Sequence, residues 1–485
     1  MTRLIILTCL ITLSSLSICS AQSDQSEQRT KFSASEVKED FEHFYKTLEQ
    51  THYNLYVNTK KEVFERQYEK TYNSINDSLT LLQITRLFQP FAALSKLAHC
   101  NMSFPWNLYF DKNNQSSATL FPFNVTITNN RVFIIDNYSS DLSIQKGDEV
   151  LSIDSVPINV KLKEVYDFLS GEGTDIKNTL LDLFNFPRVY WWIHGNSNQY
   201  LIQIKNKEGS IKSVIIKSMK ASDYEQRASK QKSVFNLNRE FKFIGAIAYL
   251  HPGIFINNQS SGNTSEHKTF ETNEFLSFID SSFKEIHKAK SRCLIIDLRG
   301  NPGGDNAFSD PMIAYFATKP FWFCSEFSVK TSSITKQFWK DVKDSSLQDL
   351  KNQILTKKDG EIFKVSFQNY SPRTDSLHFD GNVYVLVDRY SYSNTVSIAA
   401  IIQDYNFGVV IGEPTADVAS SYGATHEFKL PNSQLYVSYP KAFIVRPNGK
   451  RALKGVTPDE IVSDNIFTGT DEILDFTIKY INGRK

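Results

Sequence analysis

The chain is short of the features that most often announce a function. Among 485 residues there are five cysteines, of which Cys9 and Cys19 fall in an apolar leader. Cys100, Cys293 and Cys324 remain, an odd and widely spaced set that argues against a disulfide framework, and no CxxC pair stands ready for zinc. An excess of one charge is lacking too: 54 Lys and Arg stand against 53 Asp and Glu. With no basic tract either, nothing recommends nucleic acid or an anionic membrane as partner. Beyond the leader no apolar run approaches membrane-spanning length. What is present is an ordinary globular composition, 41% hydrophobic and 13% aromatic, on a length that predicts about two to four domains.

The leader reads as a secretory signal peptide. Arg3 is a minimal positive region, Leu4 to Ile18 is a short apolar stretch, and Cys19-Ser20-Ala21 places small residues before a cut ahead of Gln22. The expected mature chain is therefore periplasmic or extracellular. Leu16-Ser17-Ile18-Cys19 has the outline of a lipoprotein box, but Ile18 is large for the residue before a lipidated cysteine, so a lipid-anchored form is the lesser reading.

From Ser33 the pattern is helical. Ser33-Ala34-Ser35-Glu36 reads as a capping box ahead of a stripe of Val37, Phe41, Phe44 and Leu48. Thr59 to Glu62 repeats the signal, and a third helix is expected from Leu79 to Leu97, interrupted at Pro90. From Leu120 to about Lys217 the periodicity shortens to strands, with Asn129-Asn130 as a hairpin turn between Asn124–Thr128 and Arg131–Ile135. Ser218 to Arg239 reads as a linker or surface helix. A buried strand at Ile244–Leu250, a polar loop from Asn257 to Lys268 and an amphipathic helix then predict α/β layering with parallel pairing. Thr331 to Asp380 is polar and reads as an insertion.

Two stretches carry chemistry. Cys293 to Leu298 is an apolar run with the pattern of a strand buried on both faces, and it stops at Gly300-Asn301-Pro302-Gly303-Gly304. A strand, a glycine turn and a helix expose backbone N–H groups that hold anions. No Lys-Ser or Lys-Thr follows, and the spacing is not GxGxxG, so a phosphate cradle is disfavoured. Val383–Val387 is a second such strand, followed by Asp388-Arg389-Tyr390-Ser391-Tyr392-Ser393-Asn394-Thr395 and an apolar helix. A serine there stands beside free helical N–H groups, and by itself it is as well explained as an N-cap.

Asp297-Leu298-Arg299-Gly300-Asn301-Pro302-Gly303-Gly304 resembles the Asp-Leu-Arg-x-Asn-x-Gly-Gly signature of the C-terminal processing peptidases and their tricorn-like relatives. Ser393 to Ala400, Gln403-Asp404-Tyr405 and Gly412-Glu413-Pro414-Thr415 resemble the nucleophile region of the same serine peptidases. Ile144 to Ile158, with Gly147-Asp148, is similar to the strand pair of a PDZ domain, with Ser155 where glycine is usual. The resemblance implies an α/β, multidomain α+β chain. It has an N-terminal helical unit (22–110) after the signal (1–21), a PDZ-like β domain (111–220) and a crotonase-like (ClpP-like) catalytic core (221–485). By the same resemblance Ser393 is the nucleophile, and Gly303, Gly304 and Asn394 supply the oxyanion-hole amides. No cofactor or metal is implied.

The base is where the chain departs from the pattern. Processing peptidases place a lysine after Gly-Glu-Pro-Thr, whereas this chain has Ala416 to Gly423 without one. In the tricorn-like branch a histidine serves. His99, in Leu97-Ala98-His99-Cys100, holds the comparable position and is the favoured base, with His426 as the local rival. The acid of the tricorn tetrad has no counterpart, because Ala452 occupies the comparable slot. Cys100 is discounted as a thiol nucleophile, since neighbouring side chains on a helix diverge. The expected activity is hydrolysis of exported proteins or peptides. A non-catalytic peptide- or ligand-binding protein on the same fold, and an esterase using the same serine, remain the alternatives; the oligomeric state is not legible.

Overall fold

The computed structural model describes residues 31–110, 118–230, 233–257, 271–342, 348–366, 368–465 and 467–483. The leader and most of the expected polar loop at 257–268 lie outside these. The chain divides into two compact units. One comprises Ser20–Val234 with Glu427–Tyr439, and the other holds Phe235–His426 and Pro440–Lys485.

The first unit opens on the helix Ala34–Thr51, started by the Ser33–Glu36 capping box that its sequence predicts. The second helix, Lys61–Ser74, begins one residue later than expected, with Lys60 at its cap and no side-chain bond there. That shift carries Glu62 out of the third position, so the Thr59 box does not form, and the Thr59 hydroxyl is buried without a partner. A box forms instead at Thr80–Gln83 and starts the helix Leu81–Ala93, which runs through Pro90 rather than breaking there. Aromatic rings fill the space between the helices, with the Phe41 ring tilted 4.8 Å from Phe88 and edge-on 5.0 Å from Phe91.

The strands Phe123–Thr128 and Arg131–Asn137 pair as a hairpin. Asn129 and Asn130 both take positive φ, 53° and 58°, as a two-residue primed turn requires. Glu149–Ile153, Gln199–Lys205 and Ile211–Lys217 extend this sheet, and the helix Ile158–Phe168 packs beside it. Two helices, Thr174–Phe184 and Phe186–His194, interrupt what the sequence presents as a run of short strands. Their aromatic and β-branched residues favour strands locally, and burial of Phe186, Val189, Tyr190 and Trp191 overrides that preference. The stretch read as a linker or surface helix does carry a helix. Its helix Ala221–Ala228 buries Tyr224, and Glu225 receives both the Arg188 guanidinium and the Tyr109 hydroxyl.

The second unit is built on a six-stranded sheet. Its order is Glu240–Ile244, Ile247–His251, Cys293–Asp297, Asn382–Val387, Val409–Gly412 and Glu460–Ile461. The first pair is antiparallel and the others are parallel. The apolar runs are strands covered on both faces, as their patterns predict. Leu294, Ile296, Val383 and Val385 pack with the helices Asn273–Ala289 and Asn394–Tyr405. Ile295, Tyr384 and Leu386 face the C-terminal helix Glu472–Asn482 instead. Each such side chain contributes about 1.5–3 kcal/mol when fully buried. The stretch 331–380 is not a loose insertion. Its strand Ile362–Lys364 pairs with Glu326–Lys330, and Trp339, Ile354, Phe363 and Phe379 join the core. Its polarity belongs to the outer faces of short elements, which hides their few inward residues.

Among the described residues no helix is long and apolar enough to cross a membrane. Nor does any cluster of three or more His, Cys, Asp or Glu among them suit a metal ion.

Candidate active site

Cys293–Asp297 and Asn382–Val387 are adjacent parallel strands, paired from Cys293↔Asn382 to Asp297↔Leu386. The glycine turn and the serine turn therefore leave the same edge of the sheet side by side, at the carboxyl ends where α/β sheets place their ligands. Hydrogen bonds stitch them together. Tyr392 N–H donates to Asn301 O at 2.9 Å, Ser391 Oγ to Leu298 O at 2.9 Å, and Gly300 N–H to the Asp388 carboxylate at 3.1 Å. Asp388 also accepts the Tyr390 N–H, 3.0 Å away. Burial raises the Asp388 carboxyl to about 6 despite these donors.

A salt-bridge fan braces the turns from below. Arg299 reaches Asp297 at 2.7 Å, Asp471 at 2.6 Å and Asp464 at 3.3 Å. Burial alone would raise Asp297, but Arg299 outweighs it and holds the carboxyl below its ordinary value. Asp471 at the same time caps the C-terminal helix through Leu474 N–H.

The structure separates the three serines that the sequence places near one another. Ser391 is fully buried, its hydroxyl bonded to Leu298 O and to Asp388 N–H, so it fastens the turns. Ser397 lies inside the helix Asn394–Tyr405. Ser393 is half-buried and sits at the helix cap with φ 54° and ψ −124°, without the side-chain bond of an N-cap. Its hydroxyl makes no hydrogen bond among the described residues. A non-glycine residue in that conformation costs about 1–3 kcal/mol, and it turns Oγ away from the capping role its position would otherwise give it.

Two features hold Ser393 there. Gly303 lies against it so closely that a Cβ on Gly303 would stand 2.7 Å from Tyr392 O, 2.8 Å from Asn394 N and 2.9 Å from Ser393 Cβ; its φ of 94° also favours glycine. On the other side, Asp417 Oδ2 accepts the Ser393 N–H at 2.7 Å. Sequence reasoning missed Asp417. It follows the Gly-Glu-Pro-Thr run, where attention falls on an absent lysine, and no local pattern marks it.

The amides around Ser393 differ in availability. Gly303 N–H donates to Asn301 Oδ1 at 2.9 Å, so Gly303 serves by its lack of a side chain more than by its amide. Gly304 takes φ 135°, with its backbone against Phe255. Asn394 N–H, on the first residue of its helix, has no backbone acceptor, as helix geometry dictates. The Asn394 side chain is buried and donates to Ser309 Oγ at 3.1 Å. Ser309 belongs to the helix Asn306–Ile313, capped by Asp305 through Ala307 N–H at 2.8 Å. Burial lifts Asp305 and Asp310, at either end of its first turns, to about 7.

Of the candidate bases, His426 is in the same unit as Ser393. It lies on the strand Ser421–Lys429, buried, with its ring 4.9 Å from that of Phe338. Burial, with a smaller push from the Lys441 charge, lowers its pKa well below the usual histidine value. His99 lies in the first unit, buried in a turn between Leu97 and Asn101. Side chains from distant positions clamp that turn. Glu172 accepts the Ala98 N–H at 3.3 Å, and Ser170 Oγ donates to Cys100 O. Gln89 accepts Met102 N–H at 2.8 Å and donates to Phe168 O at 2.9 Å. Cys100 itself is fully buried and its thiol is pushed up to about 12, which removes it as a nucleophile.

Comparison with known proteins agrees with this architecture. Residues 267–462 match the model of Peptidase family S41, and residues 117–226 match that of a PDZ domain. Mature CPAF complexed with lactacystin superposes with a TM-score of 0.63 at 13% identity, over 93% of this chain and 97% of that one. Mature CPAF gives a TM-score of 0.60 at 13% identity, over 93% and 96%. At that identity the structures establish a shared fold. A PDZ domain match is thus followed by a Peptidase family S41 match that contains both the glycine turn and Ser393, so the chain carries an S41-type peptidase domain.

Proposed function

We propose that the chain is an exported serine endopeptidase that cleaves exported polypeptides through Ser393, with His99 as general base. The observation that carries the nucleophile is the Ser393 turn: a half-buried serine in a left-handed conformation, its hydroxyl not used for capping, at a helix start and against a glycine turn. In this reading Ser393 Oγ attacks the scissile carbonyl carbon and passes its proton to His99. The resulting oxyanion is held by the Asn394 and Gly304 amides. Collapse expels the amine, which takes the proton from the imidazolium, and water then releases the acyl group by the same route in reverse. Glu172 accepts the N–H of Ala98, the residue before His99, and so helps to hold the turn that carries the imidazole. The domain matches support a peptidase, and neither a pure ligand-binding role nor an esterase gains from them. The peptide is the substrate class; nucleic acid has no place in the reading.

The test is labelling by a fluorophosphonate probe, whose P–F bond is exchanged for an Oγ–P bond with loss of fluoride and the serine proton. Wild type should label; Ser393→Ala and His99→Ala should not; His426→Ala and Ser391→Ala should, so long as they fold. Labelling that survives His99→Ala but vanishes with His426→Ala would move the base. An unlabelled wild type would overturn the reading. Export is checked on the same preparation, whose mass should correspond to a chain beginning at Gln22.

A further inference from the structure

Asp417 stands where nothing in the chemistry described above requires a charge, yet it is buried to 2% exposure directly beside the nucleophile. Both its oxygens are directed at backbone amides. Oδ2 accepts Ser393 N–H at 2.7 Å, and Oδ1 accepts Val418 N–H at 2.8 Å. Its own loop is pinned in turn. Thr415 Oγ1 donates to Asp417 O at 2.9 Å and accepts Val456 N–H at 2.9 Å, and Gly455 packs so tightly on Thr415 that a Cβ would meet its carbonyl oxygen at 1.9 Å. A rigid loop thus presents a carboxylate to one amide of the serine turn.

Two consequences follow from that single bond. A charge-assisted hydrogen bond to the Ser393 amide favours the backbone orientation that Ser393 adopts and opposes its relaxation to an ordinary N-cap. The bond also occupies the amide that would otherwise compete for the oxyanion. The helix-side donor must then be the next amide, that of Asn394, which has no backbone acceptor.

We propose that Asp417 is the positioning residue of the nucleophile: it fixes the Ser393 backbone with Oγ outward and assigns the oxyanion to the Asn394 amide. This rests on the reading of Ser393 as the nucleophile. Asp417 acts through Ser393 and touches no reacting atom.

The experiment measures the rate of fluorophosphonate labelling against probe concentration for wild type, Asp417→Ala and Asp417→Asn, with Ser393→Ala as the blank and thermal melting as the control for folding. Asp417→Ala should lower the limiting rate by about 100-fold while the half-saturating probe concentration stays within about 2-fold. Asp417→Asn keeps one carbonyl oxygen for the Ser393 N–H but loses the charge, and should recover only partly, to about 3- to 10-fold below wild type. A rate in either variant equal to wild type overturns the proposal, as does a loss that matches the unfolded fraction in both. If Asp417→Ala does not fold, Asp417→Asn decides alone: a reduced limiting rate with unchanged melting supports the proposal. Wild-type labelling that persists in Ser393→Ala removes the underlying reading, and this inference with it.

Discussion

The serine turn and the His99 turn hold their residues by different means. Ser393 is fixed by neighbours on adjacent strands: a glycine pressed against its backbone, a helix beginning beside it, and hydrogen bonds that Tyr392 N–H and Ser391 Oγ donate to Asn301 O and Leu298 O on the paired turn. His99 has no such frame. Its turn is held by the side chains of Gln89, Ser170 and Glu172, the last two from a segment about seventy residues away in sequence. The first arrangement stores strain in a backbone that sterics will not let relax. The second distributes its hold over several ordinary hydrogen bonds, each replaceable. A single substitution should therefore cripple the serine turn, whereas the His99 turn should fail by degrees.

The largest effect is expected from Gly303→Ala. The added methyl would overlap three backbone or Cβ atoms at under 3 Å, so the two turns must separate. Stability should fall by about 2–4 kcal/mol, and labelling of the folded fraction by more than about 100-fold. Melting curves and labelling rates on one preparation check it; wild-type labelling would mean that the serine turn does not depend on its neighbour.

Next comes Ser170→Ala, which leaves the Cys100 carbonyl without its donor. It should cost about 1–2 kcal/mol and lower labelling by about 10-fold. Adding Gln89→Leu should deepen the loss, because two clamps are then gone. An effect as severe as that of Gly303→Ala would erase the distinction between the two turns.

The smallest effect concerns the acid beneath the serine turn. Asp310 is buried and titrates at about 7 rather than at the ordinary 3.8. With the folded value raised, the folded protein holds the proton more tightly. The stability this gives is complete below about pH 4 and is lost as pH rises through 7. Asp310→Asn has no proton to lose. Its melting temperature should gain on wild type by about 2–4 °C between pH 5 and pH 8, about 1 kcal/mol. A constant difference across that range would show that Asp310 does not titrate there.

The same contrast explains what the sequence reveals. The glycine and serine turns are contiguous, each a buried strand followed by residues chosen for backbone geometry, so their neighbours along the chain announce them. The capping box at Ser33 and the Asn129-Asn130 turn are legible for that reason too. Asp417 is not, since its partner lies 24 residues earlier in the chain and one hydrogen bond to an amide leaves no pattern. Ser170 and Glu172 are equally silent around His99. The helices at 174–194 were hidden by aromatic residues that favour strands until burial decides otherwise, and the core residues of 331–380 by the polar residues between them.

The Arg299 fan gives the serine turn a dependence on the order of synthesis. Two of its three carboxylate partners, Asp464 and Asp471, leave the ribosome after Ser393 does. Until they arrive, a guanidinium destined for burial beside Asp297 lacks most of its counter-charge, and the glycine turn above it lacks its brace. Ser393 is thus made early and its turn is braced late, so the geometry of that turn is complete only once the C-terminal helix has been synthesised.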